Sequence, residues 1–176
     1  MQIWRVNVNT QTLKKAPVPS GWEKLGGRGL IVRVMLDEVE AKCDPLGPDN
    51  KLIFAPGLLV GHMLSSTDRI SIGGKSPLTG GIKEANAGGR TGYHMAFMGI
   101  KALIIENQPK DAGYWVLHLS LVDGAKWVKA DDLAGLGVYE TAAKLVERYG
   151  DKVAISLIGP GGEMRMKSAG IQNLDK

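Results

Sequence analysis

Between Lys75 and Gly92 the chain reads Lys-Ser-Pro-Leu-Thr-Gly-Gly-Ile-Lys-Glu-Ala-Asn-Ala-Gly-Gly-Arg-Thr-Gly. Glycine admits positive φ and lets a ligand come close to the main chain, so such a cluster marks tight turns or a backbone-lined site. Arg69 precedes the run and Arg90 lies near its end. Their forked guanidinium groups suit phosphate or carboxylate oxygens. Main-chain N–H groups flanked by two arginines would receive a large, flat, phosphate-bearing ligand. The same residues would also make a pair of hairpin turns with two solvated arginines, and residue types alone leave both readings open.

The remaining reactive side chains form no catalytic set. His62, His94 and His118 fall on different elements, none with a carboxylate at ligand spacing. His118 lies on the more polar face of a strand and reads as solvated, while His94 follows the glycine run and reads as structural. Glu84 sits inside the run, either as an acid or base or as a charged turn residue. Cys43 is the only cysteine, which excludes an internal disulfide and any cysteine cluster within this sequence. This polar equipment is better suited to holding a ligand than to transforming one. A second glycine group, Gly26-Gly27-Arg28-Gly29, precedes a helical pattern. It serves either close approach of a helix amino terminus to an anion or a tight helix–sheet contact.

The elements that carry these residues follow from periodicity. Ile3 to Val8 alternates, with Trp4, Val6 and Val8 on one face and Arg5 and Asn7 on the other, as in a half-buried strand; Leu13 to Val18 is its hairpin partner. Trp22 to Lys42 holds the first helix, with Leu30, Ile31, Val34 and Met35 at helical spacing. Short strands follow at Leu52 to Ala55, Arg69 to Ile72 and Ala102 to Ile105, with a short helix at Tyr93 to Met98. A hairpin runs from Trp115 to Val128 around Asp123-Gly124. The second helix, Val138 to Tyr149, is expected to bury Tyr139, Ala142, Ala143 and Val146, and a strand over Val153 to Ile158 runs into Gly159-Pro160-Gly161-Gly162. The order hairpin, helix, strand, Pro/Gly break thus occurs twice, starting near Trp4 and near Trp115. That pattern predicts an α+β fold of duplicated β-rich halves that superpose, each with hairpin strands and one helix.

Length fits one domain over residues 1–176. The net charge of +4 is spread out, with 11 Lys/Arg and 8 Asp/Glu in residues 1–88 against 11 and 10 in residues 89–176. With no basic stripe, nucleic acid is excluded as the expected partner. Met1 to Arg5 lacks the apolar core and cleavage site of a signal peptide, and no apolar run approaches a membrane span, so a cytoplasmic protein is expected.

Five blocks in order carry a family resemblance: Leu25 to Leu30, Asn50 to Gly57, Lys75 to Gly80, Ala85 to Gly89 and Ile158 to Glu163. Together they resemble the amino-terminal domain of the tungsten-containing aldehyde ferredoxin oxidoreductases, over essentially the whole chain. The resemblance implies a base on which tungstopterin, a tungsten (or molybdenum) bis-pterin dithiolene cofactor, lies. It implies pterin contacts for Arg69 and for the Asn86-Ala87-Gly88-Gly89 segment. It also implies that Asn86 offers its main-chain carbonyl to a Mg2+ that bridges the pterin phosphates, as suits an oxygen ligand and a hard cation. In the complete enzyme the family adds a [4Fe–4S] cluster, oxidises aldehydes to carboxylic acids and passes electrons to ferredoxin.

The cluster cysteines, the pocket residues and the family's second pterin motif, which would follow shortly after Lys176, are not in this sequence. The 176 residues alone are therefore expected to bind neither tungsten nor iron tightly, and activity is expected of a complete enzyme. Its expected partners are the remainder of that enzyme, ferredoxin or another electron-transfer subunit, and a second copy in a homo-oligomer. The alternative is a non-catalytic scaffold or subunit-contact domain that keeps the fold without the cofactor.

Overall fold

The structure, a computed structural model, describes residues 1–174. Its elements in order are β1 (Gln2–Asn7), β2 (Thr12–Pro17), α1 (Gly27–Glu38), β3 (Lys51–Pro56), β4 (Ile70–Lys75), β5 (Ile82–Ala87), α2 (Arg90–Phe97), β6 (Ile100–Glu106), β7 (Trp115–Ser120), β8 (Gly124–Lys129), α3 (Val138–Tyr149), β9 (Ser156–Leu157), α4 (Pro160–Glu163) and β10 (Gln172–Asn173). The mixed α+β class expected from the sequence is what forms.

Six strands make the main sheet in the order β2-β1-β6-β3-β4-β5. Only β1 and β6 run parallel; the other neighbours are antiparallel. Alternate residues feed two cores. Ile3, Ile53 and Ile104 meet Leu30, Ile31, Val34 and Met35 of α1. Trp4, Val6, Phe54, Ile70, Ile72 and Leu103 meet Met95 of α2, and Leu117, Leu119 and Trp127 of the β7–β8 hairpin pack against that second core. A sheet covered on both faces favours near-continuous apolar strands, which explains the run Ile100 to Ile105.

β1 is accordingly buried on both faces, not half-buried as its alternation predicts. Its polar residues are paired. Arg5 donates to both oxygens of Glu38 at the end of α1 and to Glu106 of β6, while Lys51 Nζ lies 2.8 Å from Glu106 and 3.5 Å from Glu38. Two cations and two carboxylates thus close one end of the α1 face. Arg5→Ala is expected to destabilise the fold by about 1–3 kcal/mol, because two part-buried carboxylates would be left with one lysine. A chemical-denaturation midpoint equal to that of the parent would contradict this.

Two expectations about the helices are corrected. The first helix starts at Gly27, later than Trp22, whose ring is buried beneath it and donates Nε1–H to Asp37 at 2.9 Å. The buried face of α3 is Thr141, Ala142 and Leu145; Tyr139 and Ala143 are exposed, so the apolar stripe is rotated from the expected one. The order hairpin, helix, strand does recur, with the two hairpins in different sheet settings among the described residues. β1–β2 joins the main sheet through β6, whereas β7–β8 forms its own ladder and β9 pairs with β10 alone. The second hairpin turns its apolar side chains onto the main sheet's core, and α3 makes a third core with Leu133, Ile155 and Leu157.

Candidate functional site

The strand register places the candidate residues. Ile70 pairs with Ala87 and Ser71 with Asn86 across the antiparallel β4–β5 ladder. One step further, Arg69 lies opposite Gly88. Successive side chains alternate between faces, so Arg69 and Ser71 share a face with Glu84, Asn86 and Gly88. This is the α1 face, because Ser71 Oγ would lie 3.3 Å from a Cβ added to Gly27, and Gly73 would meet Ile31 of α1.

Arg69 is the hub of this rim. Its Nε donates to Asn86 Oδ1 at 2.6 Å, and Asn86 Nδ2 donates to Ser71 Oγ at 3.3 Å. Its carbonyl accepts from Gly57 N–H at 3.1 Å and would lie 3.3 Å from a Cβ at Gly92. A Cβ at Gly88 would stand 3.5 Å from its Nη1, in the space over the guanidinium. Gly26, at the start of α1, has no room for a side chain because a Cβ there would meet Leu58 N at 2.8 Å. Three glycine blocks, around Gly26, Gly57 and Gly88, therefore converge on one end of β4. Neither α1 nor α2 has a side-chain cap at its amino terminus, so main-chain N–H groups remain available beside the rim.

Of the expected site residues, the fold brings Arg69, Asn86, Gly88 and Gly89 together. Gly89, at φ 93°, turns the chain from β5 into α2. Ala87 points the other way and packs in the second core, so at this rim it offers main chain only. Arg90 does not form a clamp with Arg69, because its Nη1 is turned to the carbonyl of Asp151 at 2.9 Å. The two Nη groups of Arg69 make no hydrogen bond among the described residues.

Lys75 to Gly80 and Asn50 belong to the opposite end of β4. Asn50 brackets that end, donating Nδ2–H to the carbonyls of Pro45 and Lys75 while its Oδ1 accepts from the N–H groups of Lys51 and Lys75. Ser76 Oγ closes the β4–β5 turn by accepting from Leu78 and Thr79 N–H. These blocks are scaffold. Likewise Glu163 accepts from Gly135 N–H at 2.9 Å, joining α4 to the segment before α3.

Glu84 is a strand residue, not a turn residue, and its side chain is only 8% exposed. Arg28 Nε donates to its Oε2 at 2.9 Å, while Oε1 is buried without a hydrogen-bond partner. Burial pushes its carboxyl pKa up, but the Ser71 hydroxyl, Arg28 and Lys83 outweigh that and hold it below the usual range. His94, on α2, is held below the ordinary histidine value by burial and then by the charge of Arg90. It is therefore neutral near pH 7. His118 is half-buried rather than fully solvated, and its ring stacks on Tyr149 of α3 at 5.5 Å and 8°.

The rim's chemistry fits a flat anionic group: a guanidinium held through Nε with free Nη donors, helix starts without side-chain caps, and a glycine beside the guanidinium. The side-chain oxygen of Asn86 is engaged by Arg69, so any cation held at this residue would have to use its main-chain oxygen.

Residues 3–176 match the family described as aldehyde ferredoxin oxidoreductase, N-terminal domain. A tungsten-containing aldehyde ferredoxin oxidoreductase of Thermococcus kodakarensis is 38% identical over 175 residues, covering 96% of this chain and 28% of that protein. An aliphatic sulfonate oxidoreductase, WOR-like subunit, of Pyrococcus furiosus is 30% identical over 159 residues, covering 83% of this chain and 25% of that protein. Among solved structures, the active-site complex BamBC of benzoyl coenzyme A reductase in complex with 1,5-dienoyl-CoA superposes with a TM-score of 0.89 at 26% identity, over 98% of this chain and 26% of that one. The chain thus spans about a quarter of the proteins it matches. On this match along nearly its whole length, the chain belongs to the aldehyde ferredoxin oxidoreductase N-terminal domain family.

Proposed function

We propose that this chain is the cofactor-binding domain of a tungsten (or molybdenum) bis-pterin oxidoreductase, which in its complete form oxidises aldehydes to carboxylic acids and passes electrons to ferredoxin. The observation that carries the reading is the placement of Arg69 beside Gly88, one step beyond the β4–β5 ladder and at the meeting point of three glycine blocks. The names of the relatives support it.

In this reading Arg69 directs its free Nη donors to the anionic edge of the pterin or its phosphate. Asn86 holds the guanidinium plane through Nε and offers its main-chain carbonyl to Mg2+. Ala87, Gly88 and Gly89 present main chain where side chains would obstruct the approach. The uncapped starts of α1 and α2 favour negative charge nearby. Bound there, a tungsten centre would supply the two-electron oxidation of the aldehyde. The [4Fe–4S] cluster and the substrate pocket belong to the rest of the enzyme.

The test is to purify the complete protein from cells grown with tungstate. The expected result is near-stoichiometric tungsten with aldehyde-dependent reduction of ferredoxin or a viologen dye. Folded protein carrying neither tungsten nor molybdenum would instead support a scaffold that lost the cofactor.

A further inference from the structure

We propose that Glu84, acting through Ser71 and Asn86, is the positioning residue that fixes the guanidinium plane of Arg69. The inference rests on the cofactor reading above and concerns how this chain prepares its own arginine.

It follows from donor and acceptor accounting along the α1 face. Ser71 is 2% exposed, so its hydroxyl cannot turn to bulk water. Its oxygen already accepts from Asn86 Nδ2, and it makes no other side-chain hydrogen bond among the described residues. A serine hydroxyl has one proton to donate, and burying it unused is costly. Glu84 is the diagonal neighbour of Ser71 across the β4–β5 ladder, and its Oε1 is the buried acceptor left without a partner. An unused donor and an unused acceptor thus sit at diagonal positions on one face. They are close enough for the hydroxyl to help hold the Glu84 carboxyl below its usual range, and a small shift of the two side chains joins them.

Once that proton is committed to Glu84, Ser71 can only accept from Asn86. This settles which end of the Asn86 amide faces which neighbour: NH2 toward Ser71, oxygen toward Arg69 Nε. The chain Glu84–Ser71–Asn86–Arg69 then runs in one direction and ends with both Nη groups facing outward. Arg28 holds the far end by its 2.9 Å bond to Glu84 Oε2. Without the carboxylate, the Ser71 proton could point to Asn86, the amide could turn over, and its NH2 would face the Nε–H of Arg69.

The test is a double-mutant cycle on tungsten retained per polypeptide by the complete protein after exhaustive dialysis, with thermal unfolding recorded alongside. Ser71→Ala should lower retention roughly three- to tenfold, the worth of one hydrogen bond, with Arg69 present. In an Arg69→Ala background the same change should have almost no further effect, because the relay has nothing left to aim. Equal losses in both backgrounds would show that Ser71 acts through the fold, and no loss beside Arg69 would show that it does not act; either overturns the relay. Should Ser71→Ala fail to accumulate as folded protein, Glu84→Gln takes its place. Its amide can present NH2 to Ser71, so the same two patterns decide. Unchanged retention in Arg69→Ala alone would sink the cofactor reading and the relay with it. A loss there without one in Ser71→Ala would sink the relay only.

Discussion

Arg69→Ala should lower cofactor retention in the complete protein roughly ten- to a hundredfold while leaving the fold intact. The factor follows from charge-assisted hydrogen bonds worth about 1.5–3 kcal/mol, made by Nη groups that no described residue engages. Little stability should be lost, because the side chain is exposed and its one internal bond goes to the equally exposed Asn86. Arg69→Lys should recover only part of the loss, since an ammonium cannot reproduce a planar fork whose Nε is held from one side while its Nη groups face the other. Arg33→Ala is the suitable control. Arg33 makes an exposed pair with Asp37, and Asp37 keeps its bond from Trp22 when the arginine is removed. Arg5 cannot serve in that role, because it holds the Glu38–Glu106 cluster together. Equal tungsten content in the parent, Arg69→Ala and Arg69→Lys would remove Arg69 from the site.

Gly74→Ala should be the more damaging change to the fold, at about 3 kcal/mol. A Cβ there would stand 2.2 Å from the carbonyl oxygen of Lys51, a main-chain atom of the neighbouring strand that cannot swing aside. Relief requires parting β3 from β4 where Asn50 brackets Lys51 and Lys75. For a domain of this size the midpoint of thermal unfolding should fall by about 6–12 °C. Gly81→Ala, in the turn of the same hairpin, should be close to neutral, because its Cβ would meet only the Thr79 hydroxyl at 3.9 Å. A Gly74→Ala midpoint within a degree or two of the Gly81→Ala midpoint would contradict the packing described here.

The sequence made the elements legible where periodicity is strong. The helix expected over Val138 to Tyr149 has those bounds in the structure, with Gly150 as its C-cap, although its buried face differs from the expected one. Apolar runs such as Ile100 to Ile105 announce strands but not which sheet they join. The insertion of β6 between β1 and β3 depends on contacts about a hundred residues apart to β1 and about fifty apart to β3, which no local pattern carries.

The site was legible in part for the same reason. Glycine and arginine content marked Arg69 and Gly88, but the stretch read as turns and loops because Lys83, Glu84, Ala85 and Asn86 have poor strand propensity. Once β5 is recognised as an edge strand, period two gathers Glu84, Asn86 and Gly88 on one face opposite Arg69 and Ser71. Ser71 was the residue missed. Its signal was its position two residues after Arg69, which carries meaning only when both are known to lie on the same face of a sheet. Arg90 misled because its type fits an anion, while its actual acceptor, the Asp151 carbonyl, lies far along the chain.

The most direct test of the central claim is to locate the metal. Anomalous diffraction at the tungsten absorption edge, from crystals of the complete protein, places the heavy atom without reference to activity. The account predicts a peak over the rim formed by Arg69, Gly88 and the start of α1, with an Nη group of Arg69 within hydrogen-bond distance of the pterin or its phosphate. A tungsten peak remote from that rim, or beside the Ser76 turn at the other end of β4, would contradict it.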